Sequence, residues 1–262
     1  MKIAFLGSRK FFNFYRNALE GTGHKIVDLK DGPDLGVIAY YGKIIKKDEL
    51  KIPKHGFINI HPSLLPRYRG PSPVRSAILA GDTTTGVTIH ITVPKVDAGE
   101  ILAQKEVPID PKDNYERMEE KLFKIGADLL SETIDKWLGG KIIPQKQDES
   151  KATYTKTVKT EDGHIDWTKT PEEISRQIRA LSPDPGTFTF LGGKRILILK
   201  ISTENVAHNR RFGEVIKTGG GFKIAAREGF VLPLRVKLEG KKELDAEAFL
   251  RGQRDFIGKT LN

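Results

Sequence analysis

An amide and an imidazole stand two residues apart in Phe57-Ile58-Asn59-Ile60-His61-Pro62. Strand side chains alternate, so Asn59 and His61 project from one face of an extended segment, and Pro62 ends its pairing. A hydrogen-bond donor and a titratable base then sit side by side at a strand's C-terminal end, where open α/β sheets bind ligands. A carboxylate follows in Val96-Asp97-Ala98-Gly99-Glu100, where Asp97 leads a glycine-containing turn after a strand expected at Thr85 to Val93. Together Asn59, His61 and Asp97 have the groups to hold an oxyanion and move a proton. Singly, each has a plainer role: a His before Pro often lines a loop, and an Asp before Ala-Gly often forms a turn with its own backbone. Leu64-Leu65 is most simply core, and the plainer reading of Arg67 and Arg69 is as solvated loop charges.

Several other chemistries are excluded. The chain has no Cys, so it holds no disulfide, thiolate nucleophile or Cys-ligated metal, and its six His show no HExxH-like pairing. No metal site is expected. The longest apolar stretches, Leu35 to Tyr41 and Val87 to Val93, fall short of the roughly 20 residues that cross a bilayer. The start, followed by Arg9 and Lys10, lacks the apolar region of a signal peptide, so a cytoplasmic location is expected. Net charge is +10. From Lys151 onward 21 basic residues face 14 acidic ones, a net +7, so most of the excess lies in the last two fifths. That suits a nucleic-acid face or a basic solubilising surface equally well.

The 262 residues are a natural length for two modest domains. Lys2 to Leu6, a helix from Phe11 to Leu19 and Lys25 to Leu29 make a βαβ-type opening. Leu35 to Tyr40 is apolar on both faces, as a central strand must be. A short helix is expected from Ser72-Pro73 to about Leu79. A long amphipathic one is expected from Tyr115, with Met118, Leu122, Ile125, Leu129, Leu130, Thr133, Ile134 and Trp137 recurring at three and four. The mostly parallel Rossmann-like domain spans 1–140, a linker 141–160, and a second domain 161–262. In the second domain Thr170-Pro171-Glu172-Glu173 is a capping box opening a helix to about Leu181. Five short strands (187–190, 195–201, 213–217, 222–226, 231–236) with glycine turns then suggest a small OB-like β-barrel.

On these residues the chain resembles the 10-formyltetrahydrofolate-dependent formyltransferases. The likeness runs through Asn59-Ile60-His61-Pro62-Ser63-Leu64-Leu65-Pro66-Arg67-Tyr68-Arg69-Gly70, Gly81-Asp82, Thr85-Gly86-Val87-Thr88 and Val96-Asp97-Ala98-Gly99-Glu100-Ile101-Leu102. The second half is similar to the methionyl-tRNA branch, through Gln147 to Tyr154, Glu161 to Trp167, Arg179-Ala180 and Pro185-Gly186. The resemblance implies that Asn59, His61 and Asp97 are the catalytic trio. It also implies 10-formyltetrahydrofolate as donor, bound by Ala39, Tyr40, Tyr41, Gly42, Val93 and Val96. Ser63, Leu64, Leu65, Pro66, Arg67 and Arg69 are read as the substrate-binding loop, with initiator methionyl-tRNA as partner and a monomer as the working unit. Similar family members carry a longer segment after the second strand, including a basic loop toward the tRNA acceptor end. Here Val27-Asp28-Leu29 passes through Lys30-Asp31-Gly32-Pro33-Asp34 straight into Leu35. The basic C-terminal domain is therefore expected to take more of the tRNA. Formylation of an amino sugar nucleotide, folate hydrolysis and a non-catalytic nucleic-acid-binding protein remain as other readings.

Overall fold

The computed structural model describes residues 1–7, 11–43, 45–253 and 255–262. Arg9 and Lys10 lie outside them. The chain divides into one unit of Met1–Ala77 with Asp82–Thr157, and another of Ile78–Gly81 with Val158–Asn262.

The first unit is built on a six-stranded sheet: β1 (Lys2–Gly7), β2 (Lys25–Val27), β3 (Leu35–Ala39), β4 (Phe57–His61), β5 (Thr84–Ile91) and β6 (Ile101–Pro108), in the order β2-β1-β3-β4-β5-β6. The first four strands pair in parallel, while β5 and β6 are antiparallel. The sheet is thus the mostly parallel α/β sheet expected. All five residues of β3 are buried, in keeping with its two apolar faces. α1 (Phe12–Gly21) and α3 (Tyr115–Leu138) pack on each other, and Asn114 caps α3 by accepting from the Arg117 amide at 3.1 Å. α2 (Pro73–Ala80) begins at a proline, as expected. β6 was not anticipated. Its run Ala103-Gln104-Lys105-Glu106 occupies a sheet edge and shows no alternation, because Gln104, Lys105 and Glu106 are all exposed.

The stretch expected as a linker is bound to this first unit along much of its length. Gln145 pairs with Ile101, and Tyr154 pairs with Arg69. The division of the chain falls inside that stretch, near its end, between Thr157 and Val158.

In the second unit α4 (Pro171–Leu181) opens on the Thr170–Glu173 capping box. The strands are β7 (Thr187–Leu191), β8 (Lys194–Glu204), β9 (Val215–Thr218), β10 (Gly221–Ala226), β11 (Gly229–Leu238) and β12 (Glu243–Asp245), followed by α5 (Ala246–Arg251). All pairings are antiparallel, in the order β7-β8-β11-β10-β9, with β12 on β11. The five expected strands are present; β12 and α5 are additions. Trp167, Ile174, Ile178, Ile198, Phe222, Phe249 and Phe256 share one core. Among the described residues no helix is long and apolar enough to cross a membrane.

Candidate active site

Asn59 and His61 lie at the end of β4, on the face their spacing predicts, and the antiparallel β5 places His90 directly across from Asn59. The turn after β5 brings Asp97 to both. Asn59 Nδ2 donates to Asp97 Oδ1 at 3.3 Å, and His61 Nδ1 lies 3.6 Å from Asp97 Oδ2. The second Asn59 hydrogen faces His90 Nε2 at 3.2 Å. His61 Nε2 sits 2.9 Å from the Tyr68 carbonyl, which only accepts, so Nε2 carries the hydrogen and Nδ1 presents its lone pair toward Asp97.

The backbone at this point is specialised. Asp97 has φ +47°, a region Asp and Asn enter more readily than other side-chain-bearing residues. Gly70, at φ +103°, donates its amide to Asp97 Oδ2 at 2.8 Å. At Gly99 a Cβ would lie 1.6 Å from the Ile91 carbonyl, so only glycine lets the Asp97 turn close on β5.

Burial pushes the His61 imidazole below its ordinary value; Asp97 opposes that fall and His90 adds to it. Burial opposes ionisation of Asp97, but its hydrogen-bond and charge partners, the Gly70 amide among them, outweigh it and hold the carboxyl well below the usual carboxylate range. At neutral pH the site therefore pairs a carboxylate with a neutral imidazole. A proton delivered to His61 Nδ1 would be stabilised by Asp97.

Asn59, His61 and Asp97 line one cavity of about 620 Å³, within the range of small-molecule sites. Of the residues expected to hold the folate, Tyr40, Tyr41, Gly42 and Val96 line it. Ala39 and Val93 do not: Ala39 is buried within β3, and Val93 lies in the exposed stretch after β5. Ile38, Lys43, Pro62, Gly70, Pro71 and Thr157 complete most of the wall. Tyr40, with φ +58°, packs edge-on against Phe11 and Phe123, and its hydroxyl bonds the buried Glu119 and Tyr115, which makes its ring a fixed wall.

The loop expected to bind the substrate lies outside this cavity's wall. None of Ser63, Leu64, Leu65, Pro66, Arg67 and Arg69 lines the cavity, because the loop spends its polar groups on its own frame. Ser63 Oγ donates to the Arg67 carbonyl at 2.7 Å, and the Leu65 amide donates to Thr88 Oγ1 at 3.2 Å. Arg69 has no exposure at all. Its guanidinium donates to Gln147 Oε1, Glu149 and the Tyr154 hydroxyl. Gln147 in turn donates from Nε2 to the Asp97 and Gly99 carbonyls at 2.8 and 2.7 Å. Arg69 and Gln147 thus brace the Asp97 turn from behind. Arg67 is exposed and pairs with Asp82 at 2.9 Å.

Sequence reasoning passed over His90 and Gln147. His90 was findable: it shares parity with Thr88 in an alternating strand, and an antiparallel β5 turns that face toward Asn59. Gln147 carried no such signal, since nothing in the chain's local pattern ties it to a turn 50 residues earlier. Among the described residues no group of His, Cys, Asp and Glu is arranged to hold a metal ion.

Comparison with known proteins agrees with this geometry. Residues 26–134 match the formyl transferase family model, and residues 157–254 match the formyl transferase C-terminal domain model. A methionyl-tRNA formyltransferase of Roseiflexus castenholzii is 44% identical over 238 residues, covering 90% of this chain and 76% of that protein. Among solved structures, HypX from Aquifex aeolicus in complex with tetrahydrofolic acid superposes with a TM-score of 0.71 at 20% identity, over 98% of this chain and 48% of that one. The methionyl-tRNA formyltransferase from Clostridium thermocellum gives 0.62 at 20% identity, over 78% and 94%. The two structures speak to the fold, while the identity and coverage of the Roseiflexus relative place this chain in the methionyl-tRNA formyltransferase family.

Proposed function

We infer that this chain transfers the formyl group of 10-formyltetrahydrofolate to the amino group of methionyl-tRNA, with Asn59, His61 and Asp97 as the catalytic residues. The observation that carries the assignment is the meeting of these three side chains, 38 positions apart at their extremes, at one cavity. The walls suit a flat, reduced pterin: Ile38, Tyr41, Pro62, Pro71 and Val96 are apolar, and Asn59, His61 and Asp97 stand beside one another among them. Tyr40, Tyr41, Gly42 and Val96 would hold the folate, which supplies the activated formyl carbonyl.

The residues divide the work. Asn59 offers an N–H to the carbonyl oxygen as it becomes anionic. The 3.3 Å bond to Asp97 is the longer of its two contacts, and that hydrogen is the one an incoming oxygen takes. His61 Nδ1 accepts the proton of the attacking amine, directly or through water, and Asp97 stabilises the imidazolium. The same proton then goes to the departing folate nitrogen. No covalent enzyme intermediate is needed.

The basic second unit is proposed as the main tRNA-binding part, and a monomer as the working unit. The cytoplasm is the compartment proposed for this reaction. The deciding assay incubates the protein with 10-formyltetrahydrofolate and methionyl-tRNA, an amino sugar nucleotide, or no acceptor. Formylmethionyl-tRNA is the expected product. Formyl sugar alone, formate alone, or salt-sensitive RNA binding without turnover would each overturn the reading.

A further inference from the structure

We propose that His90 is a positioning residue for the reaction, holding the Asn59 carboxamide in the orientation that presents an N–H to the formyl oxygen. The inference rests on the role given to Asn59 above.

His90 is buried, and it lies opposite Asn59 in the β4–β5 ladder. Its Nδ1 is 2.9 Å from the Ile91 carbonyl, an obligate acceptor, so Nδ1 carries the ring hydrogen. Nε2 is then a bare lone pair, and it faces Asn59 Nδ2 at 3.2 Å. It accepts one amide hydrogen and leaves the other for Asp97 Oδ1 and the cavity. With the amide turned over, Asn59 Oδ1 would meet two acceptors, His90 Nε2 and the Asp97 carboxylate. It would also present nothing to donate to an oxyanion. Asp97 alone does not secure this arrangement, because its bond to Asn59 has to yield when the formyl oxygen arrives.

The ring has little freedom to give up the hydrogen bond. A Cβ built at Gly99 would lie 3.4 Å from His90 Nδ1, which shows how closely the Asp97 turn covers the imidazole. The ladder between β5 and β6 shifts register between Ile89 and His90, so the backbone is locally adjusted where this side chain projects. His61 and Asp97 are the other titratable groups facing it, from β4 and from the turn. His61 already has its own acceptor in the Tyr68 carbonyl, so the two imidazoles do not compete for one.

Two substitutions separate the nitrogens of His90. His90→Gln places a side-chain amide oxygen near the Nε2 position and keeps an acceptor for Asn59. His90→Asn keeps an N–H near the Nδ1 position for the Ile91 carbonyl and loses that acceptor. For His90→Asn, kcat is expected to fall roughly threefold to tenfold, the scale of one hydrogen bond, with KM for 10-formyltetrahydrofolate unchanged; His90→Gln should restore most of the loss. Equal rates in wild type and His90→Asn, or equal losses in both variants, would overturn the proposal. A second readout needs no variant: 15N spectra of the wild-type protein at neutral pH should show His90 protonated at Nδ1 and bare at Nε2, and the reverse tautomer would overturn it. Failure of the formyltransferase reading itself would instead appear as an inactive wild type.

Discussion

Two loops meet behind the cavity and use their polar groups in opposite ways. The turn after β5 turns Asp97 inward, to Asn59, His61 and the Gly70 amide. The loop after β4, from Pro62 to Gly70, turns its polar groups on itself and on the 145–155 segment, and lends the site a carbonyl at Tyr68 and an amide at Gly70. Both segments carry the family resemblance. The difference teaches that a shared motif can be shared for its frame: residues 63–69 fix where two backbone groups sit, and Asp97 uses them. A left-handed backbone at Tyr68 and Asp97 accompanies both roles, at a cost of about 1–3 kcal/mol per residue that the surrounding bonds offset.

The sharpest test of the contrast is Asp97→Asn. Asn accepts the same φ and nearly the same shape, so the fold should hold, with some loss of stability because one of the two donors facing residue 97 then meets an N–H. The variant loses the charge that stabilises the His61 imidazolium, and kcat/KM should fall roughly 100 to 10,000-fold. Steady-state formylation checks this; a loss under tenfold would mean the carboxylate serves the turn and not the reaction.

Arg69→Met should do the reverse, lowering stability more than chemistry. The guanidinium is fully buried, and its loss strands Gln147 Oε1 while releasing Glu149 and the exposed Tyr154 to solvent. A loss of about 1–3 kcal/mol is expected in denaturant unfolding, the scale for hydrogen bonds to a charged group whose carboxylate partner is half exposed. A raised KM for methionyl-tRNA at unchanged stability would return Arg69 to the substrate and end the contrast.

How much of this was legible in the sequence follows from how local each cause is. The Asn59–His61 pair shows its common face through strand alternation, and the Thr170–Glu173 capping box declares the start of α4 within four residues. The role of Arg69 was not legible, because its partners lie about 80 positions further on and a lone loop arginine has the same look whether it faces water or a carboxylate. β6 was hidden by being an edge strand, where packing asks for little apolar pattern. His90 needed the direction of β5, which no local run of residues specifies.

The pH profile gives a smaller effect with a definite sign. Burial lowers the affinity of the His61 imidazole for protons in the folded protein, so kcat/KM should stay level through neutral pH and decline only below 6.5, the ordinary value. The unfolded chain binds that proton first, so stability also falls as pH drops through the same window. An acid limb centred above 6.5 would contradict the buried, neutral imidazole. In Asp97→Asn the limb should move further toward acid, because the charge that favours the imidazolium is gone.

Arg67→Ala is expected to change least, and it probes the weak side of the comparison. Arg67 is the exposed member of the loop, and its partner Asp82 is also held by the Tyr68 hydroxyl at 2.7 Å. Exposed ion pairs contribute about 0–1 kcal/mol, so the melting temperature should scarcely move. KM for 10-formyltetrahydrofolate should not move either, because Arg67 does not line the cavity. The informative quantity is KM for methionyl-tRNA, measured at two salt concentrations. If it stays within about threefold of wild type, the whole 63–69 segment is frame and the tRNA backbone is met elsewhere. A rise of tenfold or more, shrinking as salt is added, would mean that Arg67 reaches a phosphate. The loop would then have two jobs, holding the Asp97 turn with its buried half and the tRNA with its exposed half.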